Sequence, residues 1–401
     1  MAGNTDVVVI GGGYAGVMAA NRLTQRTGVT VTLVNARPTF VERIRLHQLV
    51  GGSDDAVVDY REVLAGDVRL MVDTVARIDA AGRSVTLATG GEVGYDYLIY
   101  AVGSGSADPR VPGAAEFAYP ISTLEEAERL RPVIAAAAAT AAVTVVGAGP
   151  TGIETAAELA EAGRAVTLVC GRVLGPYLHP RGRRSVAKRL AALGVTVLEG
   201  ADAKVTEVTA DTVRLSGGRE LPSEVTVWTA GFGVPDLAAR SGLTTDALGR
   251  LLTDETLTSV DDGRIVAAGD AAAPSDLPFR MSCQAAGPLG AQAADTVLSR
   301  IAGEQPTPVS LGFAGQCISL GRRFGIFQVA HKDDTARPLH LGGRPGAKLK
   351  EVICRYTIKQ LANEARKPGS GTWIKGDGHR GTGTQTAAPK ETSAATVGGA
   401  G

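Results

Sequence analysis

The residues with the clearest chemical purpose in this chain are glycines. The hexads GGGYAG (Gly11 to Gly16) and GAGPTG (Gly147 to Gly152) each carry glycine at positions one, three and six. Between a strand and a helix, that spacing binds a dinucleotide pyrophosphate. The first glycine permits the turn, the second lets backbone amides reach the phosphates, and the third lets helix and strand pack closely. The helix N-terminus adds positive potential. The first set is Gly11, Gly13 and Gly16, with Tyr14 and Ala15 opening the helix; the second is Gly147, Gly149 and Gly152. One such turn has ordinary structural explanations, whereas two copies in the same strand-turn-helix setting point to two dinucleotide sites.

The position that often holds a ribose-binding acid, at the end of the second strand, is Asn35 in the first half and Cys170 in the second. Asn35 can bond a ribose hydroxyl, or Arg37 beside it can act instead. No carboxylate stands at position 170 to repel a 2′-phosphate, and Arg172 is close by, so NADPH preference or dual use is favoured over strict NADH use. The alternative is that Arg172 is a solvated loop residue.

The elements that must position these turns form an internal repeat. In the first half, Val7 to Ile10 reads as a strand, Val17 to Arg26 as a helix and Val29 to Val34 as a second strand; Val143 to Val146, Ile153 to Ala162 and Val166 to Val169 are their counterparts. Each half continues into a β-rich meander, Thr74 to Leu87 with Tyr97 to Ala101 and Lys204 to Leu215 with Val225 to Thr229. The meanders close on small-residue turns that make Gly103 and Gly231 cofactor-contact candidates. A strand at Arg264 to Ala268, ending in Gly269-Asp270, and a helix from Ala285 to Ala302 return the chain to the first half. The expected fold is α/β: two Rossmann-like nucleotide-binding domains with β-meanders and a C-terminal α/β region. The divisions are a flavin domain over 1–115 and 255–305, a nicotinamide domain over 116–254, an interface region over 306–367, and a disordered tail over 368–401, rich in Gly, Thr, Ala and Ser.

Composition narrows the function classes. The 401 residues carry 41 basic and 41 acidic side chains, which removes any global field for nucleic acid. Cys170, Cys283, Cys317 and Cys354 show neither metal spacing nor a disulfide framework, so a reducing cytoplasm is expected. The N-terminus lacks the basic leader of a signal peptide, and the alanine-rich run Val133 to Ala148 is too short and too weakly apolar to span a bilayer.

From about Thr5 to Ala302 the chain resembles the two-dinucleotide-binding-domain flavoproteins, the pyridine nucleotide-disulphide oxidoreductase superfamily. Within it the chain is most similar to type II NADH:quinone oxidoreductases and apoptosis-inducing-factor-like flavoproteins. The resemblance implies FAD on the first glycine turn and NADH or NADPH on the second, with Asp270 near the FAD ribityl and phosphate region. It implies that Glu154 lies near the nicotinamide ribose, though a first-turn acid also suits the helix dipole. It places Phe40 to Leu49 along the flavin, making His47 and Gln48 candidates to bond flavin or acceptor, with ordinary packing as the alternative for His47. The Ala-Gln-rich quinone motif is matched by Gln284 and Ala286 and departed from at Cys283 and Pro288.

The function so implied is an FAD-dependent NAD(P)H:acceptor oxidoreductase with a quinone-like acceptor; the flavin is the redox group, so no protein nucleophile is needed. Reduction of an iron–sulfur partner and a slow redox-sensor role are the alternatives. Lys348 to Lys367 reads as a helix with an apolar face through Leu349, Val352, Ile353, Tyr356 and Leu361 and a separate basic cluster. Such a helix can pack on the flavin domain or lie on a bilayer. Peripheral contact with the inner face of the membrane, and a homodimer, therefore stay open beside a free cytoplasmic protein.

Overall fold

The computed structural model describes residues 4–377. Its first sheet is parallel, in the order Ile265–Ala267, Tyr97–Tyr100, Thr5–Ile10, Val29–Asn35, Arg69–Val72. The central strand shows why this sequence folds so: alternate side chains of a strand point to opposite faces. Val7 and Val9 enter one core with the Tyr14–Leu23 and Cys283–Ile301 helices, and Val8 and Ile10 enter another with Ile78, Val85 and Tyr100. With both faces covered, the strand is apolar throughout rather than alternating. The two helices pack closely, since a Cβ on Gly290 would lie 2.1 Å from the Ala15 carbonyl oxygen.

The second sheet repeats the design, in the order Ala118–Pro120, Val225–Trp228, Ala142–Val146, Ala165–Val169, Thr196–Leu198, again all parallel. The Pro150–Glu161, Leu124–Ala136 and Pro180–Ala192 helices supply buried residues to the core on this sheet. The Leu124–Ala136 helix opens on a capping box in which Thr123 and Glu126 satisfy each other's free amides.

The meanders differ from their expected composition. Each has three antiparallel strands, Val75–Asp79, Ser84–Leu87 and Glu92–Gly94 in one, Val205–Val208, Thr212–Leu215 and Glu220–Pro222 in the other. Tyr97–Tyr100 and Val225–Trp228, read from sequence as meander strands, join the parallel sheets instead. Those strands are apolar and largely buried, as a central parallel strand requires, whereas the short polar third strands gave little signal. Gly105–Ser106 and Phe232–Gly233 pair antiparallel where the chain passes between the halves. Beyond that pair, Leu237, Leu243 and Leu251 pack with Val8, Tyr100 and Ile265. The stretch to residue 254, assigned by sequence to the second half, thus returns early to the first.

The C-terminal region is an antiparallel sheet, Gly315–Ser319, Gly325–Ala330 and Ala336–Gly342, followed by the Gly343–Arg366 helix. This helix packs on the first half, where Asn21 donates from Nδ2 to the Leu361 carbonyl at 3.1 Å. Its buried residues are Gly346, Lys350, Cys354, Leu361 and Glu364; of the expected apolar face Leu361 is buried, Leu349 and Ile353 are half-buried, and Val352 and Tyr356 face solvent. Residues 368–377, placed by composition in the tail, make specific contacts. Gly369 and Gly371 donate to buried Glu364, Trp373 lies under the Arg22 guanidinium, and Ile374 accepts from Gly312. The rest of the expected tail lies outside the described residues.

Candidate functional site

The first glycine turn is shaped by close approach. A Cβ on Gly11, where φ is +101°, would sit 2.3 Å from the Ala101 carbonyl oxygen, and one on Gly16 would sit 1.8 Å from that of Gly11. Only glycine fits these positions. Gly13 is the opposite case: a Cβ there would enter open space, with nothing within 4 Å, at the N-cap of the Tyr14–Leu23 helix. That is the place from which free helix amides can hold a phosphate. The Tyr14 ring itself packs edge-on against Phe40, and its hydroxyl is buried enough that its pKa is raised well above the usual phenol value.

Asn35 and Arg37 are more committed than sequence suggested. Asn35 accepts from the Gly12 amide at 2.9 Å and donates to the Arg37 carbonyl at 2.9 Å, while Tyr60 donates to the Gly12 carbonyl at 2.7 Å. The Asn35 amide therefore braces the turn. Arg37 forms a two-pronged ion pair with Glu125 of the other half. Asp270 follows Gly269, whose φ is +69°, and accepts from Ser104 at 2.7 Å. Gly103, with φ of +70° and open space around it, immediately precedes that serine. Arg43 donates to Ser104 at 3.0 Å and lies 3.6 Å from Asp270.

The second turn has the same construction. A Cβ on Gly147 would lie 2.3 Å from the Thr229 hydroxyl and one on Gly152 2.1 Å from the Gly147 carbonyl oxygen, whereas Gly149 again opens to free space at a helix N-cap. Gly231, with φ of +84°, sits in the turn after Thr229. Cys170 ends the second strand, and the loop after it, containing exposed Arg172, comes back to the turn where Gly175 donates to the Ala148 carbonyl at 3.0 Å. Both turns therefore fit a dinucleotide.

Glu154, on the helix after the second turn, does not serve as a surface dipole partner. It is buried and joins a cluster drawn from four elements. Lys350 Nζ lies 2.9 Å from its Oε1, the Ser319 amide donates to the same oxygen at 2.9 Å, and His47 Nδ1 is 3.8 Å from Oε2. The Ser319 hydroxyl lies 3.2 Å from both Glu154 Oε1 and His47 Nε2, so its single proton can serve either. Burial pushes the Glu154 carboxyl up, but Lys350 and His47 more than offset this and leave its pKa low. Burial likewise opposes the charge on Lys350, and Glu154 reverses it, holding that pKa well above the usual lysine range. His47 has lost to burial: its pKa falls to about 4, with Lys350 and nearby arginines adding to the desolvation. The cluster is a buried ion pair beside a neutral imidazole.

A second layer fixes these groups. Buried Arg45 grips Glu351, the neighbour of Lys350, through two bonds of 3.1 and 3.2 Å and donates to Gln48 at 3.0 Å. Gln48 is thus a bracing residue. Gln284 is similarly engaged: it accepts from the Ala314 amide at 2.9 Å and donates to the Gly315 carbonyl at 3.0 Å. This clasp brings Cys283 near Cys317, and Cys354 stands one turn from Lys350. Burial pushes Cys283 up to about 11 and Cys354 up to about 12, so both are thiols at neutral pH, and all four cysteines are free. Sequence reasoning missed Lys350, Ser319 and this gathering of thiols. Their partners are remote in the chain, and a lysine within a basic helix gives no sign that it turns inward.

The sequence signature of the pyridine nucleotide-disulphide oxidoreductases matches residues 5–294. An NADH dehydrogenase-like protein of Mycobacterium tuberculosis is 32% identical over 358 residues, covering 79% of this chain and 88% of the relative. The type II NADH:quinone oxidoreductase Ndh of the same organism is 28% identical over 343 residues, covering 75% and 73%. Among solved structures, the sulfide:quinone oxidoreductase of Aquifex aeolicus superposes with a TM-score of 0.77 at 20% identity, covering 90% of this chain and 92% of that one. NDH2 from Plasmodium falciparum in complex with NADH superposes with a TM-score of 0.74 at 15% identity, covering 92% and 99%. At those identities the structural likeness is one of fold.

Proposed function

The chain belongs to the pyridine nucleotide-disulphide oxidoreductase family, and from this we infer an NAD(P)H:acceptor oxidoreductase with FAD on Gly11–Gly16, the nicotinamide dinucleotide on Gly147–Gly152 and a quinone-like acceptor. The observation that carries the reading is the matched pair of glycine turns, each tight at its first and third glycine and open over the second. Bound FAD supplies the hydride acceptor and the two-electron relay. The first sheet with its return strand is the flavin unit, and the second sheet is the nicotinamide unit. Asp270, held by Ser104, belongs with the flavin side of the site.

The protein's own chemical task is to manage protons. Reducing a quinone to a quinol takes two electrons and two protons. A hydride carries only one proton with its electron pair, so the second comes through the protein. The Glu154–Lys350 ion pair holds its own proton tightly on the ammonium, so the second proton is drawn from solvent, and the Ser319 hydroxyl links Glu154 to neutral His47, whose low pKa makes its protonated form a strong donor. Glu154 and His47 are proposed to relay that proton toward the acceptor, and Gln284 to hold the wall beside them. Val352 and Tyr356, exposed on a helix that also carries Lys348, Arg355 and Lys359, form the proposed face for contact with a membrane that stores quinone.

The deciding experiment is an anaerobic titration of the flavin absorbance with NADH and NADPH, followed by a soluble quinone. Bleaching by a nucleotide and recovery on adding quinone are expected. A flavin that bleaches but recovers only with an iron–sulfur protein would move the acceptor to the second class. A flavin that neither nucleotide reduces would end the dehydrogenase reading.

A further inference from the structure

Sequence alone left the second ribose position without an acid, because Cys170 occupies it. The fold supplies one from the neighbouring strand. Thr196–Leu198 runs parallel to Ala165–Val169. Where both strands end, the Cys170 amide donates to the Leu198 carbonyl at 2.8 Å and the Gly200 amide to the Gly171 carbonyl at 2.8 Å. Glu199 lies between those two rungs, alongside Cys170 and Gly171. Its Oε2 accepts from the Leu174 amide at 2.7 Å. The same loop is fastened to the glycine turn one residue later, by Gly175 on Ala148. An exposed carboxylate is therefore tethered to the loop that begins at the ribose position and ends on the pyrophosphate turn.

We propose that Glu199 sets nucleotide choice in this protein, selecting NADH over NADPH by accepting from the adenosine 2′-hydroxyl and repelling a 2′-phosphate. This rests on the nicotinamide dinucleotide lying on Gly147–Gly152. The charge is felt at the strand end, since it joins burial in pushing the Cys170 thiol up to about 12. A 2′-phosphate brought to the same place meets a like charge, whereas a 2′-hydroxyl meets an acceptor. Arg172 is the competing determinant. The hydrogen bonds that hold it run through its backbone, with its carbonyl accepting from Gly200 at 3.2 Å, and its side chain is exposed. Glu199 is exposed too, but the Leu174 amide holds its carboxylate in place, so it has less rotamer entropy to lose on meeting a ribose than the Arg172 guanidinium.

The test is binding of NAD⁺ and NADP⁺ to the FAD-loaded full-length protein by calorimetry, with adenosine 2′,5′-bisphosphate as a probe of the ribose pocket alone. Glu199→Gln keeps an acceptor for Leu174 while removing the charge, and Arg172→Ala tests the rival. The wild type is expected to bind NAD⁺ at least tenfold more tightly than NADP⁺. In E199Q that ratio should shrink at least tenfold, and the bisphosphate should bind measurably better, with flavin content and melting temperature unchanged. A ratio that E199Q leaves within twofold, a ratio that only R172A moves, or a wild type that prefers NADP⁺ would each overturn the assignment. If the wild type binds neither nucleotide, the assignment of the second glycine turn fails instead, and this proposal falls with it.

Discussion

Glu154 and Lys350 show what a buried ion pair demands of its surroundings. Each is stable only because the other is charged, and removing one partner of such a pair typically costs about 3–5 kcal/mol through the charge left behind. Lys350→Met should therefore lower the urea midpoint substantially, and E154Q/K350M should regain most of the loss, since no unpaired charge remains. A double variant no better than the single ones would mean that the pair is worth more than its desolvation. His47 gives a pH signature. Its pKa drops from the unfolded value of 6.5 to about 4 on folding, so the unfolded chain binds more protons in that window. Its contribution is fully present above pH 6.5 and is lost as pH falls through 4, to a total of about 3 kcal/mol. The slope of stability against pH between those values should flatten in His47→Asn. An unchanged slope would show that the imidazole is already charged in the folded protein.

At the scale of elements, what matters is how distant segments are clamped. Glu364 is fully buried, paired with Arg22 at 3.1 Å and accepting from the amides of Gly369 and Gly371 at 2.6 Å each. It thus ties the C-terminal helix to the first glycine-turn helix and turns the following segment back onto the core. Glu364→Ala strands the two amides and should cost about 2–4 kcal/mol, detected as a lowered melting temperature and new proteolysis after residue 366. Undiminished protease resistance would mean that Trp373 and Ile374 hold the segment unaided. The glycine turns are the other key elements, and Gly13→Glu should yield colourless protein, since a carboxylate would occupy the space open to a phosphate. A fully yellow G13E protein would remove FAD from that turn. These turns were legible in the sequence because their chemistry lies in local spacing, and so were the apolar strands beside them. Lys350, Ser319, Glu199 and Glu364 were not: their roles come from strand order and helix docking, which bring together residues far apart in the chain. The C-terminal helix misled most, because its hydrophobic periodicity ran through Val352 and Tyr356 while a buried carboxylate and a buried ammonium decided which face turned inward.

For the molecule as a whole, the balance of 41 basic and 41 acidic side chains hides a local asymmetry. No helix among the described residues is long and apolar enough to cross a membrane. Val352 and Tyr356 are nevertheless 61% and 53% exposed, on a helix that also carries Lys348, Arg355 and Lys359. Burying two such side chains in an interface yields at most about 2 kcal/mol each, and a cation near an anionic surface about 1 kcal/mol. Arg355 is already paired with Glu351 at 2.8 Å, which leaves two of the three cations free of that ion pair to contribute. The sum supports weak, reversible attachment rather than anchoring. The protein should sediment with vesicles rich in phosphatidylglycerol at low salt, leave them at 0.5 M salt as the surface charge is screened, and ignore neutral vesicles. Val352→Glu with Tyr356→Glu should abolish the attachment without changing nucleotide binding. If the wild type ignores anionic vesicles but sediments as a dimer that this double variant dissociates, the exposed face joins two copies of the chain, and a quinone must reach the Glu154–Lys350 pair by another route.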